Sequence, residues 1–169
     1  IAANFTDASK PLIQQFEKTS GHTVKASYGS TGKLFAQINN AAPFDVLLSA
    51  DEASVIKLDA AGLAVSGTRF TYARGKLVLW SVKADLFDNA EQYIKDNRYS
   101  HLAIANPKTA PYGAAAQQVL QQLGMWQALQ GKLVQGDSIA QTFQFVATRN
   151  AEAGFVAKSQ VLAWKTGGS

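Results

Sequence analysis

Apolar residues recur at helical spacing from the start of the chain. Leu12, Ile13 and Phe16 share one face of a helix that begins near Asp7 and is stopped by Gly21, with Pro11 tolerable only in its first turn. Thr23 to Tyr28 reads as a strand. A second helix, with Leu34, Phe35 and Ile38 on one face, ends before Pro43, and Asp45 to Ser49 reads as a buried strand. Ser49 and Glu52 have the spacing of a capping box for a third helix that carries Val55 and Leu58 and closes at Gly62. Alternating strand and helix predicts an α/β fold with a parallel sheet.

The stretch from Arg69 to Val82 is longer than an ordinary strand and is broken only by Gly75, so it is expected to cross between two lobes. This sets a first lobe over 1–74 and a second over 75–169. Beyond it the alternation restarts, with a strand at His101 to Ala105, a helix at Tyr112 to Leu123 and a short strand at Leu133 to Gln135. A helix at Ser138 to Arg149 and a strand at Gly154 to Val156 follow. Gly167-Gly168-Ser169 reads either as a loop or as an appended tail.

With 47% hydrophobic and 17% charged residues in 169, the chain can bury a substantial core. It holds no apolar run of about 18 residues, the length a membrane helix needs. Ile1 opens directly into folded-looking sequence, so a secretory leader is expected to have been removed. Zero cysteines removes disulfides, thiolate metal sites and cysteine nucleophiles together. Sixteen Lys and Arg against twelve Asp and Glu give a net charge of +4, which favours anions, but the basic residues are scattered and outline no nucleic-acid face.

Candidate chemistry lies at helix starts, where unpaired N–H groups and the positive dipole end favour an anion. Asn4-Phe5-Thr6, Gly29-Ser30-Thr31-Gly32, Thr109-Ala110-Pro111-Tyr112-Gly113 and Asp137-Ser138-Ile139 all fit. Each alone reads first as an ordinary N-cap. Together they fall at the carboxyl ends of strands, where open α/β sheets bind ligands. Gly29 to Lys33 is not a nucleotide-binding P-loop, because Ser27 stands where its first glycine belongs and Leu34 follows the lysine. Enzyme chemistry finds no support: His22 and His101 sit in no motif, Gly-x-Ser-x-Gly is absent, and Asp51 and Glu52 read as helix-start acids.

The segments Ala2 to Thr6, Ser27 to Leu34, Ala42 to Glu52, Arg69 to Trp80, Ile104 to Pro107 with Ala110 to Gly113, and Ala153 to Ala157 resemble, in order, the periplasmic molybdate-binding proteins of ABC importers. The resemblance covers essentially the whole chain. It implies a two-lobed type II periplasmic-binding-protein clamshell with ligand in the cleft. It also implies that the C-terminal return to the first lobe is missing, since family members continue for several dozen residues.

The ligand implied is molybdate or tungstate, with no cofactor and no catalysis. Asn4, Ser30, Thr31, Tyr112 and Ile139 match the family's contact segments. Asn4 stands where other members have serine, and Thr31 matches the hydroxyl contact best, with Ser30 beside it. Tyr112 takes the place of a tyrosine that some members carry where this chain has Ala157, and Ile139 offers a backbone N–H. The partner implied is a membrane permease and the location periplasmic, for a monomer that binds no nucleic acid. The alternatives are a binder of another tetrahedral oxyanion such as sulfate, and a ligand-sensing regulatory module on the same fold.

Overall fold

The structure, a computed structural model, describes residues 1–164, so the expectation for Gly167 to Ser169 lies outside the described residues. Four strands, β1 (Leu77–Trp80), β2 (Leu102–Ala105), β3 (Leu133–Gly136) and β4 (Ala153–Ala157), form one sheet in the order β1-β4-β2-β3. β2 is parallel to both β3 and β4, while β1 runs antiparallel to β4 at the edge. Every residue of β2 and β4 is buried, as unbroken apolar runs in the middle of a sheet require.

Seven α-helices are described. Before the sheet come α1 (Thr6–Ser20), α2 (Thr31–Asn39) and α3 (Glu52–Ala60); within and after it come α4 (Ala90–Asp96), α5 (Pro111–Gln122), α6 (Ile139–Ala147) and α7 (Lys158–Ala163). A short 3-10 turn, Ala3–Phe5, leads into α1. α4 and α7 were not legible in the apolar pattern. Ile94, Tyr99, Leu102, Ile104, Leu120 and Leu129 form the main core. On the other face Trp80 stacks on Phe143 with ring centroids 4.7 Å apart, and Trp164 meets both edge-on.

Five expectations are overturned. Thr23 to Tyr28 and Asp45 to Ser49 form no ladder. They flank Ile1–Ala3 through one isolated bridge, Ala2 with Gly29, and a bond of 2.8 Å from Ala2 N to Leu48 O. Ile1–Ala3 turns at once into the 3-10 segment, so neither neighbour finds enough extended backbone to pair with. Val46, expected inside, is 73% exposed. Of the long run 69–82 only Leu77–Trp80 is paired, and Phe70 is 77% exposed.

The Ser49/Glu52 capping box is not formed either. Helix α3 starts one residue after Asp51, whose extended backbone lets its own carboxylate accept from Ser54 N at 2.7 Å. Ser49 Oγ bonds the Asp51 backbone instead, donating to its carbonyl and accepting from its N–H. Pro11 is the sixth residue of α1, beyond the first turn, and leaves the Asp7 carbonyl without its ladder partner.

Burial pushes the phenols of Tyr93 and Tyr99, which stack 5.0 Å apart in the core, up to about 12, aided by the charge of Glu152 beside Tyr93 and by Tyr93 beside Tyr99. The unfolded chain releases these protons near pH 10, whereas the folded chain holds them to about pH 12. Between those limits the unfolded state binds fewer protons, so stability falls as pH rises. Urea unfolding followed from pH 8 to 12 is expected to show a steady midpoint up to about pH 10 and a progressive decline above it.

Candidate functional site

The starts of α2, α5 and α6 and the 3-10 turn before α1 meet beside the carboxyl ends of the strands. Ala3, Ala105, Ala110, Tyr112, Ile139 and Ala157 pack into one cluster, with Ala50 against it. Of the five residues nominated from the sequence, Tyr112 and Ile139 lie in that cluster and Asn4 follows Ala3. Thr31 joins through Ala50, whose N–H donates to Thr31 Oγ1 at 3.0 Å. Ser30 precedes Thr31 and is 4% exposed.

How each helix start is capped separates these segments from ordinary ones. Helices α3, α4 and α6 are closed by their own side chains, Asp51, Asn89 and Ser138. At α6 the closure is reciprocal: Ser138 Oγ accepts from Gln141 N, and the Gln141 side chain accepts from Asp137 N. Ser30 occupies the N-cap of α2 in the extended conformation a capping serine adopts, yet its hydroxyl caps nothing. Buried, Ser30 Oγ has no hydrogen-bond partner among the described residues, and neither has Thr109 Oγ1 before α5. A buried hydroxyl left without a partner costs about 1–3 kcal/mol, so two at one place call for an explanation.

Thr31 Oγ1 is occupied only as an acceptor from Ala50 N, so its own proton is directed to no acceptor among the described residues. The N–H groups of Thr31 and Ile139, first in their helices, and of Tyr112, second in its helix, have no intrahelical acceptor by position. Pro111 has no N–H to contribute. The α2 and α5 starts are held together by Gly32, which donates to Thr109 O at 2.9 Å. A Cβ at position 32 would stand 2.7 Å from that same oxygen, so glycine permits the approach.

Burial raises the Tyr112 phenol above its ordinary value, and a side-chain hydrogen bond with Asn4 offsets part of the rise. Tyr112 is therefore a neutral O–H donor throughout the physiological range. Asn4 is held from the other side as Ser159 Oγ donates to its carbonyl at 2.7 Å. Lys33 Nζ meets Asp137 at 2.7 Å, an exposed ion pair that ties α2 to the loop before α6. A cleft of about 330 Å3 opens beside Tyr112, bordered by Asn4, Ser49, Tyr72, Gly75 and Lys158. Ser30, Thr31 and Ile139 do not border it.

Sequence reasoning missed Thr109 and Gly75. Thr109 stood in a helix-start segment already singled out, and its Thr-Ala-Pro spacing carried the signal. Gly75 looked only like a break in a strand.

The arrangement of helix starts at strand ends agrees with the comparisons. Residues 1–169 match the family described as bacterial extracellular solute-binding protein. The chain belongs to that family. Among relatives within it, "Molybdate-binding protein ModA" of Azotobacter vinelandii is 57% identical over 95% of this chain, and that of Rhodobacter capsulatus is 48% identical over all of it. The chain spans 64% and 66% of those two proteins. The solved periplasmic molybdate-binding protein of Azotobacter vinelandii superposes with a TM-score of 0.89 at 47% identity, over 92% of this chain and 68% of that one. The family's α/β periplasmic-binding fold is therefore the fold of this chain.

Proposed function

We propose that this chain captures molybdate or tungstate through Asn4, Ser30, Thr31, Tyr112 and Ile139, as part of an extracytoplasmic solute-binding protein that supplies an ABC importer. The observation that carries the reading is the set of donors without acceptors: the Ser30, Thr31 and Thr109 hydroxyls, beside first-turn N–H groups of α2, α5 and α6. The names of the molybdate-binding relatives support the choice of oxyanion.

Tyr112 is the one titratable side chain among the five, so the site offers hydrogen bonds and dipoles rather than acid–base or nucleophilic chemistry. A fully deprotonated dianion accepts from every donor. Hydrogen phosphate would point its own proton at a donor and lose a bond. Sulfate carries no proton either, so the size of the cavity must separate it from the larger molybdate. The α2 and α5 starts are in contact, so ligand entry requires them to part and ligand contact with both draws them together again, with 1–74 and 75–169 as the moving lobes.

Calorimetric titration with molybdate, tungstate, sulfate and phosphate tests this. One-to-one binding of the first two, with sulfate and phosphate at least a hundredfold weaker, is expected; equal sulfate binding or silence with all four refutes it. Lys33→Ala removes an exposed pair outside the donor set, and such pairs contribute little. It is expected to weaken molybdate binding by less than about fivefold at low salt and not at all in 1 M NaCl, where screening acts within about 3 Å.

A further inference from the structure

We infer that Gly75 is a positioning residue for the binding site: the bare backbone of the connection into β1 is the seat that fixes the Tyr112 hydroxyl. This deepens the proposed function and rests on it. A Cβ built on Gly75 would overlap the Tyr112 hydroxyl and stand 3.1 Å from Cζ. The three atoms closest to that position all belong to the Tyr112 ring and hydroxyl. The backbone at Gly75 does not have the positive φ that demands glycine, so conformational freedom does not explain the residue. Space for one hydroxyl does.

The other sides of the ring leave the phenol little freedom to yield. Tyr112 is 9% exposed and packs with Ala3, Ile139 and Ala157, while Asn4 bonds its hydroxyl. Tyr72 borders the same cleft as Tyr112 and is itself held by a bond of 2.8 Å from its hydroxyl to Ser49 O. A methyl group at position 75 would push the hydroxyl off its place, and the ring would carry the displacement to the α5 start. Asn4 would lose its partner at the same time.

The hydroxyl is the atom that clashes, so removing it should make position 75 tolerant. The test is a double-mutant cycle on the full chain with Gly75→Ala, Tyr112→Phe and both together, read by molybdate calorimetry and by ligand-free thermal melting. Gly75→Ala is expected to weaken molybdate binding about tenfold in the native background and less than about twofold in the Tyr112→Phe background, a coupling of the size that contacting residues show. Its melting shift should likewise appear in the first background and shrink in the second. Equal effects in both backgrounds, or none in the native one, overturn the seat.

If the native chain binds none of the oxyanions, the proposed function fails, and the melting cycle decides on Gly75 alone. It also decides if Tyr112→Phe abolishes binding outright. A purely structural glycine would destabilise both backgrounds alike.

Discussion

Thr31→Ala is expected to weaken molybdate binding about thirtyfold, while Thr31→Ser stays within about threefold of the native chain. The hydroxyl of Thr31 is buried, with 1% of the residue exposed, and already accepts from Ala50 N at 3.0 Å. Its proton is thereby turned away from that N–H and is free to donate. A hydrogen bond to a charged acceptor contributes about 2 kcal/mol, which corresponds to about thirtyfold in affinity. The Ala50 bond is lost with and without ligand, so that part of the damage falls on stability, by about 1 kcal/mol, rather than on affinity. Serine restores both bonds and gives up only a methyl group. Calorimetry and urea unfolding on the same preparations separate the two costs; a native-like affinity in Thr31→Ala removes Thr31 from the site.

Gly113→Ala is expected to destabilise the chain by about 3 kcal/mol, at the upper end of ordinary overpacking. The first turn of α5 lies directly on the end of β2. A Cβ at position 113 would stand 2.6 Å from Ala105 C and 2.7 Å from Asn106 C, and would overlap the Ala105 carbonyl oxygen. Those are backbone atoms of a buried strand end and cannot rotate aside, so the helix must lift. The melting temperature should fall by roughly 6–12 °C, given about 2–4 °C per kcal/mol for a chain of this size. Tyr112 would move with the helix, so molybdate affinity should drop as well. Gly131→Ala supplies the contrast: an added Cβ meets nothing within 4 Å there and the φ is not left-handed, so the change should be under about 1 kcal/mol and towards greater stability. Equal melting points for the two variants would show that α5 is not packed on β2 as described.

Much of the fold was legible because its determinants are local. The helix ending at Gly21 has its stop at a residue with φ of 71°, and β2 is the apolar run Leu102–Ala105 that the pattern marks. The two strands expected at Thr23 to Tyr28 and Asp45 to Ser49 carry the same kind of apolar signal and still form no ladder. A strand exists through its neighbour's backbone, and Ile1–Ala3 offers a single bridge before it turns. The run 69–82 fails as a strand for the same reason, since its first eight residues pair with nothing in the sheet.

For the site, residue type and helix-start spacing were enough to nominate Asn4, Ser30, Thr31, Tyr112 and Ile139. Spacing could not tell a capping hydroxyl from a free one. Ser49, Ser138 and Ser30 each stand at or before a helix start, and only Ser138 caps its own helix. Asp51 displaces Ser49 by standing directly before α3, two residues closer to its start.

By itself, then, the sequence determined the α/β class, the four helix starts and the kind of donors they present, because caps and periodicity act over three or four residues. Only the tertiary structure decided that the Ser30 and Thr109 hydroxyls are left without partners among the described residues, that the Thr31 hydroxyl accepts from Ala50 N, and that Gly75 lies under the Tyr112 hydroxyl. Those outcomes depend on groups 19 to 77 residues apart meeting within a few ångströms, and a contact between distant segments leaves no period in the chain to read.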